Sequence, residues 1–172
     1  MDVMKQDPGG WFELVSAQGR DVIYDLVVYV LWSDGRLSPD ELSAARAAAQ
    51  ALRMNLLAFT GLFHLSGRAY ESLGLDILTR EEASIAYACA VWMAMADTVL
   101  ASAEHATLQR LRDSLAVSTG MSSMIHALVA RHARARDGLV FPHADERQVS
   151  LEELLDAVAA ASITTCPGPN EA

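Results

Sequence analysis

Apolar residues recur along this chain mostly at helical rather than alternating spacing. The most continuous block, residues 21–32, reads Asp21-Val22-Ile23-Tyr24-Asp25-Leu26-Val27-Val28-Tyr29-Val30-Leu31-Trp32. Its Val and Tyr content would suit a strand locally, but the block is too long and too continuously apolar for one. The residues just after it decide the matter. Asp34-Gly35 supplies a helix stop, and Ser38-Pro39-Asp40-Glu41 a helix start, with Ser38 as cap, Pro39 in the first helical position and Glu41 closing a capping box. The pattern predicts helices over about 20–32 and about 39–53. Ahead of them, residues 11–18 read as a short helix that Gly19 separates or bends from the next.

Residues 54–65 are apolar at helical spacing, with His64 as their one titratable group, and Ser66-Gly67-Arg68 ends them. A short helix is expected over 69–78. Thr79-Arg80-Glu81-Glu82 forms a second capping box, and the helix it opens carries no charge over 83–96. That stretch is about 14 residues where a spanning helix needs roughly 20, so it predicts a buried central helix, not a membrane span. Ser102-Ala103-Glu104 opens an amphipathic helix in which Leu108, Leu111 and Leu115 share a face, stopping near 118–120. Residues 121–135 form another, with Arg131, Arg134 and Arg136 toward the end where positive charge offsets the helix dipole. Residues 137–149 read as a polar loop, and Ser150-Leu151-Glu152-Glu153 as a third capping box opening a last helix to about 162. The prediction is a single all-α domain over 1–163, a bundle of about seven helices, with a flexible tail over 164–172.

Composition agrees with helices. Hydrophobic residues make up 52% of the 172, and Ala, Leu, Val and Met dominate them over the aromatic residues that favour strands. The length suits one domain with a substantial core. A net charge of −9 and a pI near 4.9 argue against a nucleic-acid surface, which needs clustered Lys and Arg, and suit basic partners or cations. The first ten residues show no apolar run behind a basic region, so a secretory signal is not expected and the reading is cytoplasmic. Cys89, in the apolar helix, and Cys166, in a Pro/Gly segment, fall in neither a CxxC nor a zinc-site spacing. Structural thiols in a reducing compartment are expected.

The chain also repeats itself. Laying the segment from Asp25 onto that from Ala88, an offset of 63, matches Val28 with Val91, Asp34 with Asp97, Leu37 with Leu100, Glu41 with Glu104 and Leu52 with Leu115. The identities fall on core faces, a turn acid, a turn leucine and a first-turn glutamate, where a helix hairpin needs them. Two helix-turn-helix repeats, one over about 20–53 and one over about 80–116, related by pseudo-twofold symmetry, are the expectation.

The run Trp32-Ser33-Asp34-Gly35-Arg36-Leu37-Ser38-Pro39-Asp40-Glu41-Leu42 resembles the Ala-Asp-Gly-x-[Ile/Val/Leu]-Ser-x-x-Glu signature of TerB-like domains. The second repeat, Met95-Ala96-Asp97-Thr98-Val99-Leu100-Ala101-Ser102-Ala103-Glu104, is similar with Thr98 for the glycine and the serine one place later. Such domains are associated with tellurite resistance and also occur beside J-domains in membrane co-chaperones. The resemblance covers about residues 15–135. It implies an all-helical fold and, in some members, divalent-cation binding by an acidic face.

For chemistry, a metal site would gather Asp34 and Asp97 from the turns with Glu41 and Glu104 from the helix starts, since hard cations take several carboxylate oxygens. The same four acids also explain themselves as turn and capping residues. From Asp34 the EF-hand alternation is missing and the twelfth position is Ala45, so tight calcium binding is not expected. Asp21 and Asp25 share a helix face, as an extension of an acidic patch or a solvated pair. His64, His105, His126 and His132 form no metal-binding spacing, and neither a nucleophile elbow nor a phosphate loop is present. No catalytic residue or certain cofactor is therefore predicted. The arginines 131, 134 and 136 with His132 read as a favourable helix end or as an anion contact. Trp11, Trp32 and Trp92 are core candidates, and Trp11 is also the one to test as an exposed partner contact. The expected function is a non-enzymatic TerB-like protein-interaction module in a stress- or envelope-associated complex, open to modulation by a divalent cation. A metal-binding protein and a bundle that homodimerises through 54–65 stand as alternatives.

Overall fold

The computed structural model describes residues 10–33, 35–55, 69–96, 102–136 and 144–164, and every regular element among them is helical. Six α-helices come in the order α1 (Ala17–Leu31), α2 (Pro39–Ala51), α3 (Arg80–Ala94), α4 (Ser102–Ser114), α5 (Thr119–Arg136) and α6 (Ala144–Thr164). Single 3-10 turns lie at Trp11–Leu14, Tyr70–Ser72 and Leu75–Ile77. None of the described helices is long and apolar enough to cross a membrane.

The uncharged run of the sequence is the axis of the molecule. From Glu82 to Ala94 every residue of α3 is buried, and α1, α2, α4, α5 and α6 all pack against it. An all-round buried helix has no solvent face to keep polar, which is why its apolar pattern lacks a stripe. Alanines 83, 86, 88, 90 and 94 leave room for the surrounding backbones, while Tyr87 and Trp92 fill the volume between them. α2 contributes six buried alanines against α1 and α6. α6 closes the bundle with Leu151, Leu154, Leu155, Val158 and Ala159, a buried stripe at helical spacing.

The offset of 63 found in the sequence recurs in the backbone. α1 and α3 have 15 residues each and start 63 positions apart, and α2 and α4 have 13 each at the same offset. Their ends close alike: Leu52 N–H donates to Ala48 O at 2.9 Å and Met54 N–H to Ala49 O at 2.9 Å, while Leu115 N–H donates to Leu111 O at 2.8 Å and Val117 N–H to Arg112 O at 3.0 Å. Between these bonds Arg53 and Ala116, again 63 apart, take φ of 54° and 51°. A left-handed residue after the last turn lets orphan carbonyls find donors, a gain that offsets the Cβ strain of a non-glycine residue there.

The starts of α1 and α3 are joined by one carboxylate. Thr79 and Glu82 form the predicted capping box, with Glu82 Oε2 accepting from Thr79 N–H at 2.8 Å. The other oxygen, Oε1, accepts from Ser16 N–H at 2.8 Å and from Ser16 Oγ at 2.7 Å, across to the start of α1. Ser16 is the cap of α1, and the place corresponding to Glu82 there is Gly19. A Cβ on Gly19 would overlap the Glu82 carboxylate. The residue that looked like a break between two helices therefore lies inside α1, and its missing side chain admits the acid that caps both helices.

Other expectations are corrected. Residues 11–18 are not one helix but a 3-10 turn, an extended Val15 and the Ser16 cap. Residues 69–78 form two 3-10 turns split by Gly74 at φ 66°. Tyr70 is pinned there by its hydroxyl on Ser114 Oγ at 2.6 Å and by the Arg110 guanidinium 3.7 Å from its ring centre. The largest correction is at the end of the chain. α6 begins at Ala144, so Ser150 caps nothing and instead pairs its hydroxyl with His132 Nδ1 of α5 at 3.0 Å. The early start is held by Arg147, a buried arginine bonded to α2, so tertiary contact overrides the local capping signal. Of the predicted loop, 137–143 lie outside the described residues, as do the predicted helix from 56 to 65 with its proposed dimer face and the tail from 165.

Candidate functional site

The acidic set anticipated for a cation is only half within the described residues. Glu41 sits in the first turn of α2, buried, with Oε2 accepting from Ser38 N–H at 2.7 Å while Ser38 Oγ accepts from Glu41 N–H at 3.1 Å. Glu104 occupies the corresponding place in α4, also buried and with a partner of its own. Asp34 and Asp97 lie outside the described residues. Among those described, no three His, Cys, Asp or Glu side chains form a group able to hold a metal. A cation at Glu41 would compete with the Ser38 amide, and Asp40 beside it already faces the Arg147 guanidinium at 2.7 Å. Asp21 is exposed, and Asp25 is half-buried with a partner of its own. Arg131 is exposed, and the side chains of Arg134 and Arg136 lie outside the described set.

A concave site forms elsewhere, where the first 3-10 turn, the end of α2 and the outer side of α6 meet. The cleft holds about 480 Å³ and is lined by Trp11, Phe12, Glu13, Arg53, Glu152 and Asp156, with Gly10 and Ala51 at its edges. Asp156 Oδ1 accepts from Trp11 N–H at 2.9 Å, which ties the turn to α6. A Cβ on Gly10 would come 2.9 Å from that same oxygen, so glycine permits the close approach. Trp11 is buried, as its core reading expects, and the alternative of an exposed contact falls away: the indole is part of the core beneath the cleft. Phe12 meets it edge-on at 5.5 Å and carries two guanidinium groups, those of Arg53 at 4.0 Å and Arg20 at 4.5 Å from its ring centre.

The cleft's carboxylates meet only neutral donors among the described residues. Glu13 and Asp156 are exposed and Glu152 is half-buried, its Oε1 accepting only from Gln148 Nε2 at 3.1 Å. Among the described residues none of the three carboxylates is in an ion pair, and Arg53 is engaged through the face of Phe12. Three carboxylates against the guanidinium groups of Arg53 and, on the same Phe12 ring, Arg20 leave the cleft net negative and attractive to a cationic group. Sequence reading missed it because its lining comes from three segments far apart in the chain, 10–13, 51–53 and 152–156, each unremarkable alone.

A polar cluster also lies inside the bundle. The buried Tyr87 hydroxyl stands 3.2 Å from Ser122 Oγ and 3.1 Å from His126 Nε2, joining α3 to α5. Burial, with the field of His105 adding to it, pushes the His126 imidazole below its ordinary value. Ser122 and His126, four apart on one helix, were the available signal, but nothing in the sequence paired them with Tyr87. Cys89 is sealed within α3, and burial pushes its thiol up to about 12. It is expected to resist iodoacetamide at pH 8 in the folded protein and to react once urea unfolds the chain, as peptide mapping would read.

No protein-family model, curated protein or solved structure matches the chain.

Proposed function

We propose that this chain is a TerB-like helical module that works by binding a protein partner, in a stress- or envelope-associated complex, and that its cleft receives a basic segment of that partner. The observation that carries the function is the cleft, a concavity beside buried Trp11 whose three carboxylates have no ion-pair partner among the described residues. The TerB-like part rests on the signature turn over residues 32–42 together with the two helix pairs that start and close alike at an offset of 63. In this reading Glu41 and Glu104 shape the two turns, and the net charge of −9 steers a basic partner toward the surface.

A short lysine-rich peptide, titrated into the protein while Trp fluorescence is followed, tests the proposal. Binding should weaken with salt and fall about tenfold or more in Glu13→Gln/Glu152→Gln, in which the Asp156 contact to Trp11 is untouched. Equal binding of a glutamate-rich peptide, or no loss in the double variant, would overturn it.

A further inference from the structure

We infer that the seam between α3 and α5 is a proton-operated joint, in which the charge state of His126 decides the direction of the Tyr87 hydroxyl and thereby how firmly α5 is held. The geometry leaves few arrangements. With His126 neutral and its proton on Nδ1, Nε2 accepts from the Tyr87 hydroxyl at 3.1 Å, while Ser122 donates to the phenol oxygen at 3.2 Å. Both contacts are then made and none of the three side chains carries a charge. When His126 gains a proton, Nε2 becomes a donor toward the phenol oxygen, so the phenol hydrogen must turn to Ser122 and Ser122 must give up its own donation there. The exchange also places a cation on a half-buried ring, next to the fully buried Ile125 and Val129 that hold α5 to the core.

Among the described residues, His126 meets Tyr87 from α3, whose hydroxyl Ser122 also reaches, and feels the charge of His105 from α4. α6 meets α5 through a different histidine, His132, on Ser150. None of these facing groups is a carboxylate that would welcome the imidazolium.

A histidine held below its ordinary 6.5 in the folded protein binds its proton more readily when α5 is released, and this sets the sign of the effect. Docking is therefore complete above about pH 6.5 and weakens as pH falls below it, until the folded form titrates too.

Amide hydrogen exchange of the whole chain at pH 7.5 and 5.5, corrected for intrinsic rates, reads the joint directly. Amides of residues 122–130 should exchange at least roughly threefold faster at the lower pH, with those of 151–159 unchanged. His126→Gln, which keeps a polar group and removes the charge, should abolish that acceleration. The same acceleration in His126→Gln, or none in the unaltered protein, would overturn the inference. So would a ring titration by NMR placing His126 at or above 6.5, a measurement that needs no variant.

Discussion

Glu82→Ala is expected to cost about 3 kcal/mol of folding stability. Three donors, Thr79 N–H, Ser16 N–H and Ser16 Oγ, converge on this buried carboxylate at 2.7–2.8 Å, and removing it strands the starts of two helices. Urea unfolding followed by circular dichroism measures the loss, and a value under about 1 kcal/mol would contradict the double-cap account. Gly19 provides the control. Gly19→Ala should destabilise the protein while Glu82 is present, because the new Cβ overlaps the carboxylate, and should cost clearly less in the Glu82→Ala background, where the close neighbour left is the Ser16 hydroxyl at 3.0 Å and helix propensity favours alanine by about 0.5–1 kcal/mol. Acid should act through the same group. Burial pushes the Glu82 carboxyl up, but the hydrogen bonds from Thr79 and Ser16 outweigh that and hold it below its usual 4.5. Its contribution is therefore full above about pH 4.5 and is lost as pH falls through its lowered value, and Glu82→Gln should flatten that part of the acid-unfolding curve.

Asp40→Ala is expected to cost about 3 kcal/mol, whereas Arg147→Met should cost less than about 1 kcal/mol, although the two substitutions break the same ion pair. The pair is lopsided: the Arg147 side chain is 5% exposed and that of Asp40 55%. Its guanidinium reaches Asp40 Oδ1 at 2.7 Å and Asp40 O at 3.1 Å, and its Nε is buried without a partner among the described residues. Removing the aspartate leaves a buried cation with one carbonyl for company, while methionine removes the cation and keeps most of the volume. Thermal melts of both variants decide it, and equal or reversed losses would show that solvent reaches Arg147 after all.

Where the fold was legible in the sequence, short-range chemistry and burial pointed the same way. Ser38 with Glu41, and Thr79 with Glu82, start their helices as the capping pattern says, and the uncharged run from residue 83 lies in the central helix to Ala94 because it carries no charge that needs water. Val28 and Val91, Leu52 and Leu115, and Glu41 and Glu104 are buried in pairs, as the repeat implies. Legibility failed where a distant residue settles a local choice. Ser150 has a capping pattern, yet α6 starts six residues earlier because Arg147 finds Asp40, 107 positions away. Gly19 looks like punctuation until Glu82 arrives beside it. The cleft has no motif because its charges come from three separate segments, and their value lies in having no ion-pair partner among the described residues.

The carboxylate shared by Ser16 and Thr79 makes the independence of the two halves one-sided. A fragment beginning at residue 69 would carry both partners of its own helix cap, Thr79 and Glu82, and could start α3 unaided. A fragment ending before residue 69 would carry Ser16 and Gly19 but no acid to receive the Ser16 amide. Expressed apart, the second half can nucleate its first helix and the first half needs the second present to finish its own. Reconstitution of the protein from two pieces would therefore show the amino-terminal piece gaining helix on mixing, with the carboxy-terminal piece as its template.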